Sequence, residues 1–244
     1  MNQNATMQKI EQMRLSGFAR AYREVVETAT ARSFTFDEMI AHLVQAEWDD
    51  RYNKRLQRLL SRAKFRYRAS LEEVDYTARR NLDKNQLLRF ASCDWIAKRQ
   101  NIILTGPTGV GKSWIASALG HQGCLHGYKV LYCNCTKLFD QLKIAKAEGT
   151  YIKQLDSIEK QDLLILDDFG LKPLDNSQRL MLLEIIEDRH GKKSTIITSQ
   201  IPVSEWHEAI NEPTIADAIC DRLVHSAHRL QFDGESLRKK YKNN

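Results

Sequence analysis

The chain has 244 residues, of which 42% are hydrophobic and 28% are charged, and its formal net charge is +6. This composition excludes a disordered, collagen-like or membrane-spanning chain, and the length accommodates one or two domains. The five cysteines form no Cys-x-x-Cys pair and no zinc-site spacing with histidine, so we expect reduced thiols in a cytoplasmic protein.

The first hundred residues contain no proline, which favours a helical N-terminal region. Residues 51–90 carry twelve basic and four acidic side chains, so the positive charge of the chain is concentrated there. The densest part, residues 51–68, contains no acidic residue. Its basic residues are Arg51, Lys54, Arg55, Arg58, Arg62, Lys64, Arg66 and Arg68.

Apolar residues recur every three or four positions over residues 37–65, which predicts an amphipathic helix with Thr35 or Asp37 as its N-cap. Its apolar face can pack while a second face carries a stripe of arginines. A solvated helix face is the usual explanation of a basic run. Because acids are missing from residues 51–68, we favour contact of the eight basic residues with a nucleic-acid backbone, with little sequence preference.

A short apolar run at 101–105 predicts a buried parallel strand that leads into a phosphate-binding loop and a helix. The loop consists of Gly106, Pro107, Thr108, Gly109, Val110, Gly111, Lys112 and Ser113. Its glycines let backbone amides point at a phosphate, and the helix N-terminus adds its dipole. Lys112 is expected to contact the β- and γ-phosphates of a bound nucleotide, and Ser113 to contact Mg²⁺.

A second buried strand, at 163–166, is followed by two adjacent acids. A phosphate-binding loop needs a metal-holding carboxylate at the end of a second buried strand, and these acids supply it. Asp167 is therefore expected to hold Mg²⁺, directly or through water, and Asp168 to polarise the attacking water. A strand followed by a polar turn is the alternative interpretation.

The remaining chain alternates between strands and helices. Strands are predicted at 129–133, 194–199 and 229–232, and helices at 137–147 and 178–190. This alternation predicts an α/β fold with a parallel sheet covered on both faces. The strand at 194–199 ends in Thr198, Ser199 and Gln200, which could contact the γ-phosphate or the attacking water, or could only cap the strand.

Several motifs, in their order and spacing, resemble those of the IstB family. They are the phosphate-binding loop, Leu-Ile-Leu-Asp-Asp-Phe-Gly at 164–170, Thr-Ser-Gln-Ile-Pro at 198–202, Cys-Asp-Arg-Leu at 220–223 and Gly-Glu-Ser-Leu-Arg at 234–238. These proteins are AAA+ helper ATPases of bacterial insertion sequences, related to DnaC helicase loaders. The resemblance implies an AAA+ P-loop domain at 76–244, preceded by a small all-α basic DNA-binding domain at 1–75. It also implies that the strand at 194–199 lies between the strands at 101–105 and 163–166.

The resemblance further implies an ATP- and Mg²⁺-dependent ATPase that oligomerises on duplex DNA and recruits and stimulates a partner transposase. Arg222 matches the arginine finger that reaches a neighbouring subunit's ATP, and Arg238 matches the sensor 2 arginine. Ser199 lies in the sensor 1 region, where an asparagine is commoner. Asp168 stands where most AAA+ proteins have glutamate, and its shorter side chain predicts slow hydrolysis.

Two other functions share the phosphate-binding loop. A helicase loader would bind a replicative helicase through an apolar N-terminal surface, whereas residues 51–68 offer mainly cations. A P-loop kinase acting on a small molecule would need neither DNA nor an arginine from another subunit. The basic segment favours the transposition helper over both.

Overall fold

A computed structural model describes residues 3–28, 33–77, 80–225 and 227–237. These residues form two compact units, Met1–Arg58 and Leu59–Asn244. None of the described helices is both long enough and apolar enough to cross a membrane.

The first unit is helical, as expected. It comprises α1 (Gln3–Gln12), α2 (Ser16–Glu27) and most of α3 (Phe36–Ala63), which continues into the second unit. Thr35 is the N-cap of α3, because its hydroxyl accepts a hydrogen bond from the Glu38 amide while the Glu38 carboxylate accepts one from the Thr35 amide. The predicted helix at 37–65 is therefore confirmed to within two residues.

The apolar face of α3 packs less than its periodicity predicts. Leu43 and Ala63 are buried. Five apolar side chains spaced four residues apart are instead exposed, namely Phe36, Ile40, Val44, Trp48 and Tyr52. At about 100° per residue, Trp48 and Tyr52 lie about 140° and 180° around the helix from buried Leu43, so they point away from the face that α2 contacts.

The second unit contains a parallel sheet of order β2-β3-β4-β1-β5. Its strands are β1 (Asn101–Thr105), β2 (Val130–Asn134), β3 (Leu163–Phe169), β4 (Ser194–Ser199) and β5 (Ala227–Gln231). Its helices are α4 (Lys84–Ala91), α5 (Asp94–Ala97), α6 (Lys112–Leu125), α7 (Cys135–Ala147), α8 (Tyr151–Glu159), α9 (Asn176–Arg189), α10 (Trp206–Ile210) and α11 (Pro213–Val224). β4 lies between β1 and β3, so the expected strand order is confirmed.

Both faces of this sheet are buried. Side chains alternate between the two faces of a strand, so Ile103, Leu164 and Ile197 belong to the core formed with α7 to α11. On the opposite face Ile165 lies against α6, close enough to Gly120 that a Cβ there would be 2.7 Å from its Cδ1. Burial on two sides explains why these strands are continuous apolar runs.

The chain between α3 and α4 belongs to the second unit. Phe65 packs on α6, where a Cβ at Gly120 would lie 2.6 Å from its Cε1. A short 3-10 helix at Leu71–Glu73 follows, with Ser70 as its N-cap. The division between the compact units thus precedes the domain boundary expected at residue 75.

Candidate nucleotide-binding site

The phosphate-binding loop connects β1 to α6, as predicted. Gly106, Gly109 and Gly111 have φ angles of 138°, 84° and 96°, values that side chains with a Cβ rarely adopt. Gly111 is the N-cap of α6, and a Cβ there would lie 2.7 Å from Nη1 of Arg80. The loop therefore requires glycine for its conformation and, at residue 106, for its packing, since a Cβ there would lie 2.2 Å from the Phe232 carbonyl oxygen.

Lys112 and Ser113 begin α6 at the edge of the sheet where β3 ends. The Lys112 Nζ donates to the carbonyl oxygens of Gly106 (2.6 Å) and Pro107 (2.8 Å), so the ammonium lies inside the curve of the loop. The Ser113 hydroxyl donates to Asp167 Oδ1 at 2.7 Å. The structure thus brings together the predicted phosphate-binding cation, the hydroxyl and the first acid.

Three further side chains hold the fully buried carboxylate of Asp167. Thr198, on β4, donates its hydroxyl to Oδ1, and Tyr132, on β2, donates its hydroxyl to Oδ2. Arg66 Nη1 lies 3.3 Å from Oδ2. Burial and the neighbouring Asp167 carboxylate raise the pKa of Tyr132 far above its ordinary value, so this phenol stays a donor.

Asp168 adopts a left-handed conformation, with φ of 61°, at a register shift between β3 and β4. Aspartate tolerates this region better than most residues, and a bulge can turn a side chain toward a site. The Asp168 Oδ2 accepts hydrogen bonds from Asn134 Nδ2 (3.0 Å) and Arg66 Nη1 (3.2 Å), and its amide donates to the Thr198 hydroxyl (3.1 Å). This backbone conformation gives a physical reason for aspartate at residue 168.

A cavity of about 750 Å³ opens beside these groups, a volume typical of small-molecule sites. Its lining includes Lys112, Ser113, Asp168, Arg66 and Gln200. The segment after β5 crosses the loop, where the Leu237 amide donates to the Gly109 carbonyl at 3.0 Å. Arg80, which is buried, donates to the carbonyl oxygens of Val110 (3.2 Å) and Asp75 (2.7 Å) and so ties the other wall to the loop.

The end of β4 differs from the expectation for Ser199. Its hydroxyl is buried and donates to the Phe169 carbonyl at 2.9 Å, so it faces away from the cavity. Thr198 contacts Asp167, and Gln200 lines the cavity. Alternation along the strand explains the difference, because adjacent side chains point to opposite faces.

Of the two arginines assigned by resemblance, Arg222 and Arg238, only Arg222 lies within the described residues. Arg222, on α11, donates to Glu187 Oε1 (3.0 Å) and to the Ala218 carbonyl (2.9 Å), and it is not part of the cavity lining just described. Arg238 lies outside the described residues.

The basic residues at 51–68 are all exposed, but three of them have acidic partners. Arg51 pairs with Glu47 (2.6 Å) and Lys54 with Asp50 (2.7 Å), one helical turn earlier on α3. Arg66 pairs with Asp167 and Asp168. The lack of acidic residues at 51–68 therefore does not leave all eight cations unpaired, because their partners lie outside this segment in the sequence.

The donor set at Ser113 and Asp167 fits Mg²⁺, which prefers oxygen ligands and is often held by one or two carboxylates together with phosphate oxygens. These two side chains would hold the ion. When bound beside a triphosphate, Mg²⁺ supplies positive charge that stabilises the transferring phosphoryl group.

The strand order, the phosphate-binding loop after β1 and the acids after β3 define a P-loop protein of the AAA+ class. The sequence profile of the IstB-like ATP binding proteins matches residues 8–244, and the chain belongs to this family. The expected family is thus confirmed. An insertion sequence ATP-binding protein of Sinorhizobium fredii, y4pL, is 45% identical over 234 residues, which cover 96% of each chain.

Solved structures agree with the fold. The crystal structure of DnaI is 25% identical with a TM-score of 0.56, and the match covers 72% of this chain and 94% of that one. The crystal structure of the DnaC helicase loader is 23% identical with a TM-score of 0.56, covering 70% of this chain and 100% of that one, and this likeness concerns the fold alone.

Proposed function

We propose that this protein is an ATPase that assists transposition of an insertion sequence. In this proposal it binds Mg²⁺ and ATP, oligomerises on duplex DNA, and recruits and stimulates a partner transposase, with hydrolysis as the switch. The observation that carries it is the meeting of Lys112, Ser113 and Asp167 at one sheet edge in a chain that belongs to the IstB-like family.

The residues at this edge have separate tasks in hydrolysis. Lys112 and the loop amides bind phosphate oxygens, and Asp168 accepts a proton from the attacking water or polarises it. Asn134 and Arg66 both donate to Oδ2 of Asp168 and so orient this carboxylate. The short side chain of aspartate at this position supports slow turnover.

Nucleotide binding is tested by Lys112→Ala against Lys160→Ala, which removes an exposed lysine from the end of α8. Titration with a fluorescent ATP analogue measures binding, and phosphate release measures hydrolysis. Lys112→Ala should lose both, and Lys160→Ala should retain both. Equal binding by both variants would contradict the assignment of the site.

Oligomerisation on DNA is supported by two features of the chain. The exposed basic residues at 51–68 suit contact with phosphates. Arg222 is not part of the lining of this chain's own cavity, so in this proposal it contacts the nucleotide of another subunit. In the proposed arrangement the arginine finger and sensor residues, Arg222, Arg238 and the Thr198–Gln200 region, respond to the γ-phosphate. Hydrolysis then loosens the assembly.

A protein partner is supported by the exposed apolar residues of α3, since contiguous exposed apolar surface often marks an interaction site. The same surface also favours the second candidate, a helicase loader. Trp48→Glu should abolish co-purification with the proposed partner transposase while leaving ATP binding intact. Capture of a replicative helicase but not the transposase would establish the loader instead.

A further inference from the structure

We propose that Arg66 is a built-in competitor of the metal ion: its guanidinium holds the same Asp167 carboxylate that would hold Mg²⁺, and the two positive charges repel each other, so that binding of one displaces the other. This inference rests on the proposed ATPase function and concerns the regulation of the same site. It assigns to Arg66 a role at the nucleotide, where the sequence suggested only contact with nucleic acid.

The hydrogen-bonding capacity of Asp167 is already full. An ionised carboxylate has about four lone-pair positions. Oδ1 accepts from the hydroxyls of Ser113 and Thr198, and Oδ2 accepts from the hydroxyl of Tyr132 and from Arg66 Nη1. A metal ion held by Ser113 and Asp167 would therefore compete with the donors that already bond this carboxylate.

Arg66 is the donor best able to leave. Thr198 and Tyr132 are buried on strands β4 and β2, and Ser113 is fixed in the first turn of α6 and is itself an expected metal ligand. The Arg66 side chain is 43% exposed and lies three residues after the end of α3, outside any helix or strand. A guanidinium is also the only one of the four donors that a nearby divalent cation repels.

Departure of Arg66 affects both acids at once. The same nitrogen, Nη1, lies 3.3 Å from Asp167 Oδ2 and 3.2 Å from Asp168 Oδ2. Binding of the metal therefore also removes a partner from the carboxylate proposed to polarise water. Loss of these two contacts therefore removes a constraint on the segment 64–68.

The competition is measured as the Mg²⁺ dependence of nucleotide affinity. The dissociation constant of a fluorescent ATP analogue is determined in EDTA and in excess Mg²⁺, without DNA, for the wild type, Arg66→Gln and Arg89→Gln. Arg89 is an exposed arginine on α4, so its variant controls for loss of one positive charge. The ratio of the EDTA to the Mg²⁺ value should rise on the order of tenfold in Arg66→Gln alone.

The outcomes separate this inference from the proposed function. If the wild type binds the analogue and both variants show the same EDTA-to-Mg²⁺ ratio as the wild type, the nucleotide site is supported but the competition is refuted. If the wild type binds no nucleotide, both proposals fail. Arg66→Lys, which keeps the charge, should return the ratio toward that of the wild type.

A second measurement uses only the wild-type chain and so does not depend on the folding of a variant. Hydrogen exchange of residues 64–68 is followed with ATP in EDTA and with ATP in Mg²⁺. Exchange should be faster in Mg²⁺, because the metal displaces Arg66. Equal or slower exchange in Mg²⁺ would overturn the proposal.

Discussion

At the scale of single residues, the most informative feature is how Asp167 is held. Hydroxyl groups from α6, β2 and β4 converge on one buried carboxylate. A buried charge is costly unless its hydrogen bonds are complete, so each hydroxyl stabilises the fold as well as the site.

Tyr132→Phe should destabilise the protein by about 1–3 kcal/mol, since it removes a donor to a buried charged group. Denaturant unfolding measures this change. Tyr128→Phe is the matched control, because no hydrogen bond of the Tyr128 hydroxyl is found within the described residues. An equal effect of the two substitutions would show that the Tyr132 hydroxyl does not support Asp167.

Asp168→Asn should leave ATP binding unchanged and slow hydrolysis by at least a hundredfold, the lower scale of general-base effects. Asparagine tolerates positive φ, so the bulge of β3 should persist. Binding by fluorescence and phosphate release under saturating ATP are compared with Asp140→Asn, at an exposed position of α7. Unchanged turnover in Asp168→Asn would remove this residue from catalysis.

At the scale of elements, the start of α2 depends on a side chain from α3. The Glu47 carboxylate accepts hydrogen bonds from the amides of Gly17 (2.8 Å) and Phe18 (3.1 Å) and from Arg51. Two of the unpaired donors of the helix N-terminus are thus satisfied by a buried anion. Burial alone would raise the pKa of Glu47, but these hydrogen bonds outweigh it and hold the pKa below its ordinary value.

A lowered pKa in the folded state means that ionised Glu47 stabilises the fold at neutral pH, and that this contribution is lost as the pH falls through the folded-state value. Glu47→Gln should therefore destabilise the protein by about 1 kcal/mol at pH 7 and by much less near pH 3. Thermal unfolding across this range measures the difference. Glu24→Gln, at an exposed position of α2, should show no such pH dependence.

The contacts of helix α3 determine which arginines should be replaced to test DNA binding. Arg51 belongs to the support of α2 through Glu47, so a test of DNA binding should leave it in place. Replacing Arg55, Arg58 and Arg62 by Gln should weaken binding to all duplex sequences alike and reduce the salt slope by roughly 0.9 for each phosphate that is no longer neutralised. Fluorescence anisotropy at several salt concentrations measures both quantities.

The control for this experiment replaces three exposed basic residues elsewhere, Arg89, Lys98 and Lys172, by Gln. It changes the net charge equally without changing the basic segment. A similar loss of affinity in the two triple variants would indicate a general charge effect. Loss at one DNA sequence only would contradict backbone recognition.

The sequence predicted the elements that a regular pattern encodes. Central parallel strands are continuous apolar runs, and the loop after β1 has a fixed spacing, so Lys112, Ser113 and Asp167 could be placed together from the sequence alone. Helices α8, α10 and α11 were not predicted, and the exposure of the apolar side chains of α3 was not predicted either.

Residues that act through neighbouring strands were missed. Tyr132 and Asn134 carry no motif, and they reach the acids because β2 pairs in parallel with β3, with Asn134 opposite Asp167. The sequence did contain one signal for this, because Asn134 is a polar residue at the end of β2, the strand beside β3. No sequence signal pointed to Arg66. Its charge grouped it with the basic segment, and only the fold brings it to Asp167 and Asp168.

At the scale of the whole molecule, the proposed function requires that one subunit complete the site of another. Lys112→Ala and Arg222→Ala should each lose hydrolysis, the first through its own phosphate site and the second through its neighbour's. Mixing the two proteins should restore part of the phosphate release, because some interfaces then combine an intact Lys112 with an intact Arg222. Arg89→Ala, at an exposed position on α4, is the control, and it should hydrolyse ATP without being mixed with another variant.

Persistent inactivity of the mixture would contradict a role of Arg222 in another subunit. If Arg222→Ala hydrolyses ATP without a second variant, Arg222 is not needed for catalysis, and its ion pair with Glu187 has only a structural role.

The most direct test of the central claim measures particle mass by analytical ultracentrifugation, with duplex DNA and a slowly hydrolysed ATP analogue. The account predicts that the 28.2 kDa chain forms a large complex only when both are present, and that Lys112→Ala stays small. A wild-type particle whose mass is unaffected by nucleotide and DNA would contradict it.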